Sequence, residues 1–433
     1  MSAKKRLSSD NTNLRFGKHG WGIIFYCMIM FFLLIGFSID GLNIVAPAFA
    51  EEHGLEYADV LSMATYAGFV GLFAYYIIGR INVKIGARYT SGICLIGAGL
   101  SYMFYGHAQS LLQYGIGLAL VVSFINGAAY IAGGSLVVQW FPRKKGLANG
   151  LTTMGHHMGS AFYVPMIAYL IGSVGFAKGT TMAAFIALGL GVIGLIFIRN
   201  TPQERGIYPD NVSKEIYEAE YFTETVDETS IWTVPKLLKT KELWLVAMVV
   251  GINQLVTTGV MSQLVVRNVG LGLSQNTAIA LMTVCAVIGF AGGYAFGWID
   301  QKLGVKKAIL IFLAWYCVAL AMNITENMTA VYISVFMMGF SIGGAANFIT
   351  SLPVSVFGRH GFAKVHSVYF PIMSAILFSN YTINAQALRL TGSLRGSYTV
   401  FLGLLLFNMI LISIIDTKKY NRDYKKEDEL LSK

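Results

Sequence analysis

Charge is what this sequence has least of. Of 433 residues only 12% are Asp, Glu, Lys or Arg, 55% are hydrophobic, and mean hydropathy is +0.60. A soluble domain carries about 25% charged residues. Half that share leaves too few charges to cover the two or three soluble domains that a chain of this length would otherwise form. Cysteine is scarce as well. Cys27, Cys94, Cys285 and Cys317 each lie inside an apolar run and form no Cys-x-x-Cys pair, so they read as small buried hydrophobes and not as a metal site or disulfide framework. No Gly-x4-Gly-Lys-Ser/Thr phosphate loop occurs, so ATP coupling within the chain is not expected. No cleavable signal peptide is expected either: the first apolar run, 22–50, is too long for one and no small-residue cleavage pattern follows it.

What the chain has instead is apolar runs of membrane length, about 20 residues being enough to span. Twelve such stretches lie near 22–49, 58–79, 89–107, 111–139, 147–173, 178–198, 243–265, 275–298, 307–323, 328–357, 365–388 and 396–415. A polar segment separates the sixth from the seventh. It is rich in acids (Glu215, Glu218, Glu220, Glu224, Asp227, Glu228) and ends in "IWTVPKLLKTKELW", which could form an interfacial amphipathic helix. The expected architecture is an all-α polytopic membrane protein of twelve transmembrane helices in two pseudo-symmetric six-helix bundles. Its parts are an N-terminal tail (1–20), a first bundle (21–198), a linker (199–242), a second bundle (243–416) and a C-terminal tail (417–433).

Lysine and arginine fix an orientation. With the N-terminus inside, 28 of the 32 fall in inner segments, and the rest, Lys178, Arg267, Arg389 and Arg395, lie at outer ends. By the positive-inside rule both termini are cytoplasmic, in a plasma or bacterial inner membrane. The net charge of +10 then belongs to loops facing an anionic leaflet, and nucleic acid is not expected as a partner.

One phrase is written twice. "GRINVKIGARY" (79–89) follows the second stretch and "GWIDQKLGVKK" (297–307) follows the eighth, each with Gly first, Lys sixth, Gly eighth and a base tenth. "FPRKKGLANG" (141–150) and "FGRHGFAKV" (357–365) form a fainter pair. Internal repeats of this kind mark secondary transporters built from two related halves. With these loops the chain resembles the major facilitator superfamily over nearly its whole length. The family's loop motif, Gly-x-x-x-Asp-Arg/Lys-x-Gly-Arg/Lys-Arg/Lys, is matched by Gly79, Lys84, Gly86 and Arg88, and by Gly297, Lys302, Gly304 and Lys306. The family's acid is replaced by Val83 and by Gln301, with Asp300 one position early, so the latch that this acid is thought to form is in doubt.

"WFPRKKGLANGL" (140–151) and "NTPQERGIYPDN" (200–211) further resemble the oxalate/formate and monocarboxylate porters and the related anion:cation symporters. That resemblance implies transport of a small organic anion. The two bases with which the oxalate/formate branch holds carboxylates are replaced near Gly293 and near Met373 or Ser374. Gly146, Gly155 and Gly159 match the first half of an antiporter motif whose second half fails at Ser160, Tyr163 and Val164, so these glycines read as close helix packing.

Ionisable groups inside spans are functional candidates by default. Asp40 is the lone charge in 22–50, with Asn43 three residues on; it could carry a coupling proton, pair with a cationic part of a substrate, or cap a broken helix before Pro47. His156 and His157 in "TMGHHMGSAF" could bind an anion or relay a proton, or simply bond a neighbouring helix; adjacent histidines lack metal-ligand spacing. In the family the first, fourth, seventh and tenth helices line the pathway. Their polar residues here include Asn126 and Tyr130, then Asn253, Gln254 and Thr257, then Asn347, and each could equally serve as glue between helices. Arg267 and Arg389 could draw anions inward or touch headgroups.

The expected function is secondary active transport of a small organic solute, an organic anion first. The alternatives are a zwitterionic or cationic solute paired with Asp40, and a sensor that binds without translocating. No convergent catalytic cluster reads as an enzyme. No cofactor or metal is expected, and the partners are the substrate, the bilayer and a coupling proton, with the chain as a monomer.

Overall fold

The computed structural model describes residues 15–218, 232–358, 362–417 and 419–420. Most of the N-terminal tail, the linker acids Glu220, Glu224, Asp227 and Glu228, the middle of "FGRHGFAKV" and most of the C-terminal tail lie outside the described residues.

Within a bilayer the backbone must satisfy its own hydrogen bonds, so apolar runs become helices. Eleven long helices form: α1 (Gly17–His53), α2 (Tyr57–Gly106), α3 (Leu111–Trp140), α4 (Lys145–Val174), α5 (Phe176–Phe197), α6 (Lys241–Met261), α7 (Gln275–Leu303), α8 (Val305–Ile324), α9 (Met328–Phe357), α10 (Phe362–Thr391) and α11 (Arg395–Ile414). All but α10 are long and apolar enough to cross a membrane. The expected second and third stretches are two helices that meet within α2 at Gly86, whose φ/ψ of 81°/164° is not helical. The twelve expected stretches thus each correspond to a helix of the all-α fold. Side-chain caps start several of them: Ser110, Ser274 and Asn327 each accept from the backbone N–H three residues on.

The chain divides into two compact units, Met1–Leu55 with Tyr66–Val226, and Glu56–Thr65 with Asp227–Lys433. The division falls within the expected linker, but the first turns of α2 group with the second unit. There Tyr57 donates to Gln263 Oε1 (2.6 Å), the Thr65 and Thr382 hydroxyls bond at 2.9 Å, and Asp59 pairs with Arg389. Arg389 is thus ion-paired.

Tyrosines fill the core of unit 1. The Tyr163 and Tyr105 hydroxyls donate to those of Tyr102 (2.9 Å) and Tyr114 (3.1 Å), and Phe37 stacks on Tyr102 at 4.0 Å. In unit 2 the core runs through Phe296, Phe312, Tyr316 and Phe348. The linker's end packs there too. Its helix spans only Val234–Leu238; buried Trp232 meets Phe357 and Tyr420 edge-on and Leu237 is buried, while Val234 and Leu238 are exposed. Lys419 donates to Glu242 Oε1 (2.7 Å), and that hydrogen bond lifts the ammonium above the usual lysine range. A raised lysine supports the folded state at neutral pH, and the support fades only as pH rises through the folded value in the alkaline range.

The repeated loop now has a physical meaning. Gly86 and Gly304 take φ of 81° and 82°, which only glycine adopts at little cost. Two residues later comes the base. Arg88 Nε donates to the Leu195 carbonyl (2.9 Å) at the end of α5, and Lys306 Nζ donates to the Ser413 (2.7 Å) and Ile415 (3.1 Å) carbonyls at the end of α11. The tenth position therefore caps the last helix of its own unit in both copies, where carbonyls lack partners and the helix dipole favours a cation. Arg88→Ala and Lys306→Ala should each lower stability by about 1–2 kcal/mol. Lys84→Ala and Lys302→Ala, at exposed positions, should cost at most about half a kcal/mol. Thermal unfolding in detergent reads both, and equal melting temperatures for cap and non-cap variants would refute the assignment.

Candidate functional site

Unit 1 is where helical regularity fails. α1 breaks between Ser38 and Leu42, and the Ile35 carbonyl accepts from the N–H groups of Ile39 (3.2 Å), Asp40 (2.8 Å) and Gly41 (3.4 Å). Asn43 Nδ2 donates to the freed Asp40 carbonyl at 3.0 Å. Asp40 thus sits at a helix break but its carboxylate does not cap it, and the residue is 3% exposed. The Ser160 hydroxyl donates to Asp40 Oδ2 at 2.5 Å. Among the described residues no cation pairs with this carboxylate.

Two π-helical stretches lie in the same unit, Gly127–Gly133 in α3 and Gly159–Tyr163 in α4. Such bulges recur at functional sites because they turn side chains and leave carbonyls free. Tyr130 belongs to the first; Ser160 belongs to the second, which begins two residues beyond His157. Helix α4 can approach α1 this closely because Gly155 has no side chain: a Cβ there would lie 2.0 Å from the Met28 carbonyl oxygen. The result is an imidazole–aromatic group. The His156 ring packs 4.6 Å from Phe31 and 6.4 Å from Tyr130. Tyr75 of α2 lies near Tyr130. Tyr75, Tyr130, His156, His157 and Asn126 are all half-buried. At 1.5 Å per residue His156 lies roughly 16 Å along α4 from Lys145, about mid-bilayer for a hydrocarbon core of about 30 Å. The Asn126 amide donates to its own helix at Val122 (2.7 Å).

The polar residues of unit 2 bond within the unit. Asn253 is fully buried and accepts from Asn408 (2.8 Å), and Thr257 donates to the Asn253 carbonyl (2.8 Å). Gln254 donates to Ala345 (3.0 Å) and Asn347 to Gly293 (2.8 Å), tying α6 to α9 and α9 to α7. Of the loop-motif residues, Gly79 and Lys84 lie in α2 before the turn at Gly86, and Gly297, Asp300 and Lys302 lie in the last turns of α7 before Gly304. Among the described residues no group of three His, Cys, Asp or Glu could hold a metal ion.

A family model for the Major Facilitator Superfamily matches residues 26–379. The chain belongs to that superfamily. It is 23% identical over 304 residues to an Escherichia coli K12 protein described as an uncharacterized MFS-type transporter, YhjX, covering 67% of this chain and 70% of that one. It is 25% identical over 281 residues to the hexose-6-phosphate:phosphate antiporter of the same strain, covering 59% and 57%. The match thus spans little more than half of that antiporter. The solved structure of a bacterial homolog to the human lysosomal transporter Spinster superposes with a TM-score of 0.64 at 14% identity over 94% of this chain and 98% of that one, which supports the fold alone. Neither relative is named as an oxalate, formate or monocarboxylate porter.

As a superfamily member the chain is an integral multi-pass transporter, and Arg267 has defined partners within it. Arg267 is 3% exposed and neither touches headgroups nor stands free for an anion. Its guanidinium donates to Asn323 Oδ1 (3.1 Å), the Asn323 carbonyl (3.2 Å) and Glu326 Oε1 (3.0 Å). Sequence reading missed Phe31, Tyr75, Ser160 and Glu326. Ser160 stood four residues beyond His156, one turn on; nothing in the sequence pointed to the others. Glu326→Gln keeps the shape and removes the charge that Arg267 needs. It should cost about 2 kcal/mol, less than the 3–5 of a fully buried pair, because the Glu326 side chain is 36% exposed. An unchanged melting temperature would show that the pair contributes nothing.

Proposed function

We propose that the chain carries a small, singly charged organic anion of the carboxylate class by alternating access, driven by a proton or solute gradient. The observation that carries this reading is the half-buried group of His156, His157, Tyr130 and Tyr75 in unit 1, set between two π-stretches at mid-bilayer depth. Imidazole and phenol groups donate hydrogen bonds to anionic oxygen. The group contains no lysine or arginine, and Arg267 is engaged by Glu326. Hydrogen-bond donors without a fixed positive charge suit a monoanion better than a phosphate dianion such as the ester that the E. coli relative exchanges. In this reading Asp40 carries the coupling proton: a lone buried carboxylate is costly in a bilayer, and binding a proton removes the charge. The basic loops face the cytoplasm, with both termini inside an inner membrane.

A second reading has its own observation. With no cation paired to it among the described residues, Asp40 could hold the ammonium of a zwitterionic or cationic solute.

Uptake into proteoliposomes decides between them, using labelled formate, lactate, glycerol 3-phosphate, hexose 6-phosphate, betaine and amino acids. Monocarboxylates are expected to accumulate. His156→Ala should slow their entry about tenfold or more, the worth of one hydrogen bond to a charged group. Asp40→Asn should abolish gradient-driven accumulation while leaving counterflow. Uptake of phosphate esters alone, or of betaine alone, would overturn the carboxylate reading, and no uptake of any solute would favour a sensor.

A further inference from the structure

Unit 1 holds a second concave feature, away from the helix break. A cleft of about 460 Å³ opens between α1 and α5. Its mouth carries three basic side chains, Lys18, His19 and Arg205. Its walls are Phe25, Ile29, Leu190 and Ile193, with Tyr26 and Trp140 behind. The polar atoms along the walls are occupied inside the protein: the Tyr26 hydroxyl donates to Ser91 (3.0 Å) and the Trp140 indole to the Arg199 carbonyl (3.0 Å). The nearby acids are engaged elsewhere. Glu204 accepts from the Thr201 N–H (3.1 Å), and Asp210 accepts from the Arg143 (3.0 Å) and Lys144 (3.1 Å) N–H groups. Among the described residues no carboxylate pairs with Lys18, His19 or Arg205. Arg205 donates to the Phe197 carbonyl at the end of α5, which holds it over the mouth with the rest of its guanidinium donors unassigned.

We infer that this cleft is a binding site for one anionic phospholipid. Cations at the mouth match a phosphodiester headgroup, and the wall below matches an acyl chain. The lining of α1 runs from Lys18 to Ile29, roughly 16 Å at 1.5 Å per residue, close to the half-thickness of about 15 Å that one leaflet offers. Basic pockets between transmembrane helices are the places where anionic headgroups are held. A free phosphate or phosphate ester would use the mouth and leave the apolar wall empty. Unit 2 provides the contrast. A larger cleft of about 640 Å³ there, lined by Trp315, Phe336 and Phe340 among others, contains no charged residue and so has nothing that would choose one lipid over another.

Gly22 makes the proposal testable without harming the fold. It lines the cleft, and a Cβ built on it meets nothing within 4 Å. Gly22→Leu therefore fills the trough and replaces a helix-interior glycine, which favours the helix. Purified protein, delipidated in a neutral detergent, would be titrated with phosphatidylglycerol, phosphatidylcholine or inorganic phosphate, with melting temperature and bound-lipid count by native mass spectrometry as readouts. Phosphatidylglycerol should raise the melting temperature by mass action and leave one retained lipid. Phosphatidylcholine should do so at least tenfold more weakly. Gly22→Leu and Lys18→Gln should each lose the retained lipid while unfolding near the wild-type temperature without lipid. Equal stabilisation by both lipids, or a retained lipid in Gly22→Leu, would overturn the site. A shift from inorganic phosphate that Lys18→Gln abolishes would reassign the mouth to free anions. Solute uptake does not enter these readouts, so they fail or succeed independently of the transport reading.

Discussion

A peptide group in hydrocarbon has no water to turn to, and that single constraint organises this protein. It makes helices of the apolar runs, and it makes every departure from helix conspicuous, because each departure needs its own donors and acceptors. Where α1 breaks, the Ile35 carbonyl takes three N–H groups and the Asn43 amide takes the Asp40 carbonyl. Where α5 and α11 end, Arg88 and Lys306 reach over to the last carbonyls. The same need accounts for side-chain polarity that is used inside the protein. Asn253, Gln254, Thr257 and Asn347 all bond to helix backbones or to another buried amide.

What remains after that need is met is concentrated in unit 1. The π-stretches of α3 and α4 widen the helices at Tyr130 and Ser160. The glycine contact of α4 with α1 brings His156 against Phe31. The Ser160 hydroxyl bonds the Asp40 carboxylate and lies 3.4 Å from the backbone carbonyl of His156, so the second π-stretch sits directly against the break in α1.

Hydropathy made the spans legible because it measures the free energy that builds them. The turn at Gly86 was legible too: a glycine in a basic loop reads as a stop, and its non-helical backbone separates two helices there. The imidazoles and Asp40 stood out as charge-bearing groups in apolar runs. Tyr75 and Phe31 did not, since an aromatic in a span is usually packing and only the fold brings these two beside Tyr130 and His156. Arg267 was legible as a charge but not as half of a pair, because Glu326 takes a positive φ in the connection between α8 and α9, and only that geometry turns it toward the arginine.

The doubled loop separates what the fold needs from what a mechanism adds. Position five, an acid in the family motif, is Val83 in one copy and Gln301 in the other, and the Val83 side chain is 86% exposed. Positions eight and ten keep their character in both, a glycine with positive φ and a base on the last helix of the unit. A latch can be replaced by other contacts elsewhere in a transporter. A helix end in or near hydrocarbon has few substitutes for a donor placed two residues after a turn. The retained positions are those that the bilayer itself penalises for changing, and this is why the motif can lose its acid and still mark the same joint in each half.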